Sequence, residues 1–351
     1  MNRPRSMKAA LLTELRQPLV VAEVELPDML DVGQVLVKVH YSGICGSQLG
    51  EIDGAKGGDK YLPHLLGHEG SGTVLEAGPG VRQVKSGDKV VLHWRKGLGI
   101  ESLPPTYTWN GRDVNAGWIT TFNEYAIVSE NRVTAIPADS DLRIAALFGC
   151  AVTTGFGVVT NNARLRIGES VVIYGAGGVG LNIIQAASLA GAYPIIAVDL
   201  HDNRLALASA LGATHCINAA KQDADAAIRG IAGAQGMDNF IDNTGVPAII
   251  ELGYRLTRAQ GRVTLVGVPR KGNDISLYSL PLHFGKVLSG SHGGEAVPHE
   301  DIPRYMNLLR AGRISLAPLI TGTYPLDDIN LAIDEMRSGR AAGRCLIQAD
   351  A

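Results

Sequence analysis

Cysteine is scarce in this chain of 351 residues, and long uninterrupted apolar runs are missing from it. The few cysteines are too scattered for a disulfide framework, which predicts a reducing, cytoplasmic environment; they are Cys45, Cys150, Cys216 and Cys345. No run approaches the roughly 18 apolar residues that cross a membrane, and the apolar run after Met7 is too short for a signal-peptide core. We therefore expect no membrane partner.

An excess of charge of one sign is also lacking. The 32 basic and 34 acidic residues leave a net charge of -2. Such a balance gives no long-range attraction to nucleic acid, so we expect a small-molecule partner and no nucleic acid. Glycine, by contrast, is abundant at 43 residues. That excess is typical of proteins with tight turns and phosphate-binding loops.

The pattern of residue types changes near residue 150, which predicts two domains. Before it, short runs rich in β-formers, such as 35–40 and 88–93, indicate a barrel-like, largely antiparallel unit. After residue 165, strand and helix patterns alternate, which predicts a doubly wound parallel sheet. From about residue 293 the chain returns to mixed helix and strand. We therefore expect a catalytic domain of residues 1–151 with 293–351, and a cofactor domain of 152–292 inserted between its parts.

A glycine-rich turn links a strand candidate, residues 171–174, to a helical pattern. It matches G-x-G-x-x-G, in which the first glycine allows the turn, the second admits a pyrophosphate and the third packs helix on strand. The helix N-terminus would face the phosphates with unpaired N–H groups. The candidate cofactor residues here are Gly175, Gly177, Gly178, Val179 and Gly180. The alternative is a glycine turn in an α/β protein without a cofactor.

Asp199 ends the next strand candidate, 19 residues beyond Gly180. A carboxylate there accepts hydrogen bonds from a ribose diol and repels a 2′-phosphate, which predicts NAD and not NADP. Arg204 lies nearby and could favour a phosphate, but Asp199 occupies the deciding position. The alternative for Asp199 is a helix N-cap.

Three short motifs accompany this turn. They read G-I-C ending at Cys45, G-H-E-G around His68, and G-C ending at Cys150, followed by T-T-G-F-G. In this order they resemble the zinc-dependent alcohol dehydrogenases of the medium-chain superfamily, and the resemblance extends over essentially the whole chain. It implies an α/β architecture in which a GroES-like, β-barrel-type catalytic domain accompanies a doubly wound Rossmann cofactor domain.

The resemblance implies one catalytic zinc held by Cys45, His68 and Cys150. Two thiolates and one imidazole also form, by their chemistry, a tetrahedral zinc-selective set with one open position. Glu69 would stand beside the ligands or bind the metal transiently. His68-Glu69 lacks the second histidine of a helical H-E-x-x-H, so this is not that protease motif.

The same resemblance assigns roles in hydride transfer from an alcohol to NAD. Zinc would polarise the alcohol oxygen, and the cofactor would accept the hydride. Ser47 matches the hydroxyl that relays the alcohol proton. Thr154 and Val268 match family positions at the nicotinamide end of the cofactor, and Val266 belongs to the same motif as Val268. Arg344 matches a position at the pyrophosphate.

Some positions depart from the family pattern. Residues 93–118 hold no cysteine, so no structural zinc is expected, and aromatic and proline packing should hold that region. Gln48 replaces an aspartate that orients the histidine ligand. Gly50 replaces a histidine that ends the proton relay in some members, which leaves the exit path open.

Two other classes of function share this scaffold. One is a zinc-free NAD(P)H-dependent quinone or enoyl reductase, and the other is a non-catalytic NAD-binding protein. Retention of all three metal ligands together with Ser47 and Asp199 argues against both. For the substrate, Trp94 and Arg95 hint at a bulky, polar or anionic alcohol such as a sugar derivative, although the cations of this stretch could equally be solvated surface charges.

The segment 280–291 is predicted to supply the sixth strand, at the edge of the cofactor sheet. Its apolar residues are Leu280, Leu282, Phe284 and Val287, and Lys286 adds little charge. An exposed apolar edge strand tends to pair with another strand. We therefore expect it to pair with the same strand of a second copy across a two-fold axis. This predicts a homodimer or a homotetramer. The alternative is inward packing against a helix of the same chain.

Overall fold

The computed structural model of the chain describes residues 3–349, which form two compact units. One comprises the chain up to Cys150 together with the chain from Val297 onward, and the other is Ala151–Ala296. The predicted domain boundaries lie within four residues of these.

The first unit begins with short strands and two short helices. They are β1 (Ser6–Leu12), β2 (Val20–Glu25), β3 (Gln34–Gly43), α1 (Gly46–Ile52), β4 (His64–Leu65), β5 (Glu69–Ala77), β6 (Lys89–His93), β7 (Thr106–Trp109), β8 (Arg112–Asn115), β9 (Tyr125–Ser129), β10 (Val133–Ala135) and α2 (Leu142–Ala145). The 3-10 turns Glu130–Arg132 and Ala146–Gly149 complete this part.

The second unit alternates strands and helices, as the sequence pattern predicts. Its elements are α3 (Ala151–Gly157), β11 (Val171–Tyr174), α4 (Gly178–Leu189), β12 (Ile195–Asp199), α5 (Asp202–Ala210), β13 (His215–Asn218), α6 (Ala224–Ala232), β14 (Met237–Asp242), α7 (Pro247–Leu256), β15 (Thr257–Leu265), α8 (Leu280–His283) and β16 (Val287–Gly290). The chain then returns to the first unit with α9 (Pro298–Arg310), β17 (Ile320–Pro325), α10 (Ile329–Arg337) and β18 (Arg344–Gln348).

The strands of the first unit form a closed barrel and a seven-stranded sheet. The barrel has the order β1-β2-β7-β8-β4, and the sheet runs β10-β6-β5-β3-β18-β17, with β9 also paired to β3. The late strand β18 pairs antiparallel with β3, with Leu346 opposite Gly43. Arg344 and Ile44, which are 300 positions apart in sequence, thereby become neighbours. This is the predicted barrel-type catalytic unit.

The second unit contains one parallel sheet of six strands in the order β13-β12-β11-β14-β15-β16. Every residue of β11 and β12 is buried, which is expected when both faces of a parallel sheet are covered. The strand order reverses between β11 and β14, and ligands bind at such a switch point, outside the carboxyl ends of the strands. The predicted doubly wound cofactor fold is therefore confirmed.

Within residues 3–349 no single helix is long and apolar enough to cross a membrane. One bent pair, Leu142–Gly149 followed by Ala151–Asn162, passes the same test of length and composition when its members are taken together.

Candidate active site

The three predicted metal ligands lie at the ends of elements of the first unit. Cys45 follows β3 and is the N-cap residue of α1, His68 directly precedes β5, and Cys150 follows the turn Ala146–Gly149. Because β3 pairs with β5, with Ser42 opposite Gly70, the first two ligands are brought to one place. Within residues 3–349, these three residues form the group of histidine, cysteine or carboxylate side chains that could hold a metal ion. Their ligand atoms lie within 4.8 Å of one another.

The state of these side chains fits a zinc ion. His68 Nε2 is buried and has no hydrogen-bond partner within the described part of the chain, as expected of an atom reserved for a ligand. A hydrogen bond from Cys150 lowers the pKa of Cys45 well below its usual range, and the charges of Arg344 and His68 lower it further. The thiolate is the form of cysteine that binds metals. The donor set is thus one thiolate, one thiol that would lose its proton on binding a metal, and one imidazole, the two-sulfur, one-nitrogen set that zinc prefers.

Glu69 and Arg344 form a buried ion pair beside these ligands. Arg344 Nε lies 3.3 Å from Glu69 Oε1, and Arg344 Nη1 donates to the carbonyl oxygen of Ile44 at 2.9 Å. Glu69 thus lies beside the ligands, where one of its two predicted alternatives puts it, and its transient binding of the metal stays a prediction. The predicted contact of Arg344 with the cofactor pyrophosphate stays a prediction.

The glycines next to the cysteine ligands make room for this ion pair. A Cβ on Gly43 would lie 2.6 Å from Glu69 Oε1, and one on Gly149 would lie 2.7 Å from the Cα of Glu69. Both distances are shorter than real Cβ contacts, so only glycine fits without a shift. The glycines of the G-I-C and G-C motifs thus leave space for the buried Glu69 carboxylate, while the cysteines of these motifs supply metal ligands.

Gln48 connects two of the ligands. Its Oε1 accepts a hydrogen bond from the backbone N–H of Cys45 at 2.8 Å, and its Nε2 contacts His68 Nδ1. A cysteine followed three residues later by glutamine repeats the spacing of a capping box, which is a sequence signal that could have revealed this contact. Gln48 therefore fixes the histidine ring where the family pattern has an aspartate.

Trp94 lies next to the metal cluster, and Arg95 lies beside Trp94. The Trp94 ring centroid is 6.4 Å from that of His68, with an interplanar angle of 54°, and the Arg95 guanidinium lies 5.8 Å from the Trp94 ring centroid. Buried His93 fixes the backbone here, since its Nδ1 lies 2.8 Å from the Arg95 carbonyl oxygen. Lys96 belongs elsewhere, because it pairs with Glu101 at 2.6 Å.

Glu130 anchors the segment that carries Trp94, a role that the sequence did not indicate. Its Oε1 accepts from the backbone N–H groups of Arg82 at 2.6 Å and Gln83 at 2.7 Å, and its Oε2 accepts from Ile100 at 2.7 Å. The carboxylate thus holds Ile100 in place, while buried Tyr107 and partly buried Trp109 provide aromatic packing within residues 93–118.

The glycine-rich turn of the second unit has the geometry that its motif predicts. Gly175 has a φ of +94°, which favours glycine, and a Cβ on Gly180 would overlap the Gly175 carbonyl oxygen. Nothing lies within 4 Å of the Cβ position of Gly177, so that surface is open to a ligand. Gly178 and Val179 begin α4, whose N-terminal N–H groups are those predicted to face phosphate.

Asp199 lies at the carboxyl end of β12, beside the same turn. It accepts backbone hydrogen bonds from Ala176 and Leu200, both at 2.8 Å, and Arg204 Nη1 lies 3.7 Å from its Oδ2. The N-cap of α5 is His201, so Asp199 is not the N-cap of that helix. Its carboxylate instead ties the end of β12 to the glycine-rich turn.

The other predicted cofactor residues of this unit differ in exposure. Thr154 is buried in α3, whereas Val268 is 59% exposed beyond the end of β15. Val266 also follows β15, and its N–H donates to the carbonyl oxygen of Asp242 at 2.8 Å. Val266 and Val268 thus both lie past the carboxyl end of a strand, where cofactors bind in this fold.

A zinc-competent catalytic unit joined in one chain to a dinucleotide-binding fold defines a metal-dependent dehydrogenase. A family model of zinc-binding dehydrogenases matches residues 178–311, and one of the GroES-like domain of alcohol dehydrogenases matches residues 31–138. The S-(hydroxymethyl)glutathione dehydrogenase of Paracoccus denitrificans is 32% identical over 369 residues, covering 95% of this chain and 97% of that protein. The class-3 alcohol dehydrogenase of Cereibacter sphaeroides is 30% identical with the same coverage.

Solved structures agree with these relatives. The benzyl alcohol dehydrogenase of Acinetobacter calcoaceticus has a TM-score of 0.88 at 29% identity, covering 98% of this chain and 99% of that chain. The chain belongs to the zinc-dependent medium-chain alcohol dehydrogenase family. It is an oxidoreductase that uses zinc and NAD and acts on small-molecule alcohols or carbonyl compounds.

Proposed function

We propose that this enzyme oxidises bulky alcohols that carry an anionic group. The observation that carries the proposal is the wall beside the metal cluster, where the indole of Trp94 stands 6.4 Å from the His68 ring and Arg95 lies over that indole. A flat aromatic surface favours a large substrate, and a guanidinium binds a carboxylate through two parallel hydrogen bonds. Two relatives are named for S-(hydroxymethyl)glutathione and benzyl alcohol, which supplies probe substrates of both kinds.

In this proposal the ligands Cys45, His68 and Cys150 hold the zinc. When bound, the metal acts as a Lewis acid on the alcohol oxygen and favours its deprotonation. Ser47, two residues after Cys45 and solvent-exposed, takes up the alcohol proton. Gln48 orients the imidazole, and the buried Glu69–Arg344 pair supports the thiolates through the charge of Arg344.

For the cofactor, we assign the ribose diol to Asp199, the pyrophosphate to the turn Gly175–Gly180 and Arg344, and the nicotinamide end to Thr154 and Val268. The Asp199 carboxylate is held by backbone N–H groups, so it stays fixed where a 2′-phosphate would have to lie. Fixed negative charge supports NAD over NADP.

We further propose a homodimer formed through the edge of the parallel sheet. The predicted edge strand is shorter than expected, since Leu280–His283 is helix α8 and only Val287–Gly290 is strand. Its apolar residues are nonetheless exposed, namely Leu280, Leu282, Phe284 and Val287. Lys286 is buried and donates to the carbonyl oxygen of Tyr254 at 2.7 Å, so its charge does not face the edge.

A dimer built on this edge buries an apolar surface that is otherwise left in water. Light scattering of wild type and of Phe284→Asp tests it, with Leu331→Asp as a control because Leu331 is exposed on α10 of the other unit. The proposal expects a dimer or tetramer that only Phe284→Asp dissociates; a monomeric wild type contradicts it.

The four free cysteines, two of them ligands, support a reducing cytoplasm as the location of the enzyme.

The substrate proposal is tested by steady-state kinetics with NAD on paired alcohols. Benzyl alcohol and 4-carboxybenzyl alcohol differ by one carboxylate, and S-(hydroxymethyl)glutathione provides a larger anion. We expect a higher kcat/KM for the anionic member, and Arg95→Gln should remove that advantage through KM. The control is Lys96→Gln, whose side chain pairs with Glu101. Equal kcat/KM for both members in wild type would reject the anionic substrate while leaving the dehydrogenase activity intact.

A further inference from the structure

Oxidation of an alcohol releases a proton as well as a hydride, and that proton has to reach solvent. The hydroxyl of Ser47 is the proposed first acceptor, in the first turn of α1. Three residues further on, Gly50 has no side chain to continue the path. Another group must therefore complete it.

The helix α1 presents one candidate on the same face as Ser47. Ser47 and Glu51 are four positions apart, which places their Cβ atoms about 5–6 Å from each other on an α-helix. Both residues are exposed, whereas Gln48 and Ile52, also four positions apart, are buried. The exposed side of α1 therefore carries a hydroxyl and a carboxylate one turn apart.

Charged groups from the following segment surround this carboxylate. His64 Nε2 lies 3.0 Å from Asp59 Oδ2, and His64 Nδ1 lies 2.8 Å from the Leu65 carbonyl oxygen. Although the Glu51 side chain is exposed, nearby protein atoms remove part of its hydration and raise its pKa, and Asp59 adds to this. The charges of His64, His68 and Lys56 oppose the shift, but the pKa of Glu51 remains raised. A general base works best with a pKa near the working pH, and a raised carboxyl pKa moves in that direction.

We propose that Glu51 is the terminal proton acceptor for alcohol oxidation, receiving through Ser47 the proton that the alcohol loses. This inference rests on the proposed role of Ser47. The alcohol O–H bond breaks, Ser47 Oγ takes that proton and passes its own on, and a Glu51 oxygen gains it before release to solvent. The electron pair of the C–H bond leaves as hydride to NAD, so that charge and atoms balance. In carbonyl reduction the same carboxyl group supplies the proton.

The test uses the zinc-loaded enzyme and its Glu51→Gln and Glu51→Asp variants. Asp53→Asn is the matched control, because Asp53 follows the same helix but pairs with Arg337 at 2.7 Å. We expect Glu51→Gln to lower kcat about tenfold at pH 7, at the low end for a lost general base because solvent offers a slower route. Added imidazole should restore that rate, Glu51→Asp should retain most of it, and Asp53→Asn should match wild type.

A second readout does not depend on turnover. Carboxyl carbon NMR of the zinc-loaded protein should show a resonance that titrates above the ordinary glutamate range and disappears in Glu51→Gln. If wild type fails to oxidise any alcohol with NAD, the proposed function is wrong. If wild type is active while Glu51→Gln keeps its rate and pH profile and gains nothing from imidazole, Glu51 is not the acceptor. Should Glu51→Gln not fold, an ordinary titration of the Glu51 carboxyl in wild type overturns the inference.

Discussion

Replacing Glu130 with glutamine tests what holds residues 94–105 in place. The carboxylate accepts three backbone N–H groups, and glutamine would turn one acceptor oxygen into an NH₂ group that faces a donor. Hydrogen bonds to a charged group contribute roughly 1.5–3 kcal/mol each, so losing one and weakening two should cost about 2–4 kcal/mol of local stability. Amide exchange of Ile100 should then be at least about 30-fold faster, since each 1.4 kcal/mol is a factor of ten.

Hydrogen exchange followed by mass spectrometry measures this effect segment by segment. Lys96→Gln is the control, because its largely exposed pair with Glu101 is a surface interaction worth about 0–1 kcal/mol. Unchanged exchange at Ile100 in Glu130→Gln would refute the anchor.

The same carboxylate predicts a pH dependence. Desolvation raises the pKa of Glu130, but the hydrogen bonds from Arg82, Ile100 and Gln83 outweigh it and the pKa is lowered. A folded-state pKa below the unfolded value gives stability that is present above the unfolded pKa, about 4.3, and is lost as pH falls further. Wild-type protection of Ile100 should therefore weaken below about pH 4, whereas that of Glu130→Gln should not change there. Equal pH dependence of the two proteins would contradict this account.

Four further substitutions test the metal and cofactor sites. Gln48→Ala should weaken zinc binding about 10–100-fold in chelator competition, because residues that orient ligands contribute that much; unchanged affinity would remove Gln48 from the site. Asp199→Ala should shift kcat/KM from NAD towards NADP by about tenfold, the value of at least one hydrogen bond to a charge, and an unchanged ratio would be a refutation. Gly177→Ala should keep the thermal stability and lose NAD affinity by titration, whereas Gly180→Ala should lose stability through its clash with Gly175; equal melting temperatures would contradict the difference.

The parts of the fold that follow from local pattern were predictable. These parts are local, because each depends on a few adjacent residues. They are the alternation of strands and helices after residue 165, the glycine-rich turn and the order of the three ligand motifs. The convergence of Cys45, His68 and Cys150 was predicted only through resemblance, since strand pairing brings them together over 105 residues.

Features that depend on distant partners were not predictable. In the sequence, Glu130 looks like an ordinary surface acid. Only the structure shows that its carboxylate accepts hydrogen bonds from the backbone N–H groups of residue 82 and residue 100. Lys286 reads as an edge charge, yet its ammonium turns inward to the carbonyl groups at the end of α7. Pro281 in the first turn of α8 suits a helix start, and it explains why the predicted edge strand begins later.

Metal analysis of the purified protein tests the central claim most directly, namely that Cys45, His68 and Cys150 hold a catalytic zinc. Wild type and Cys216→Ala, which changes an exposed cysteine outside the cluster, should each contain about one zinc per chain. Cys150→Ala should contain almost none and should not turn over alcohol, while still binding NAD. A Cys150→Ala protein that keeps its zinc and its activity would contradict the account.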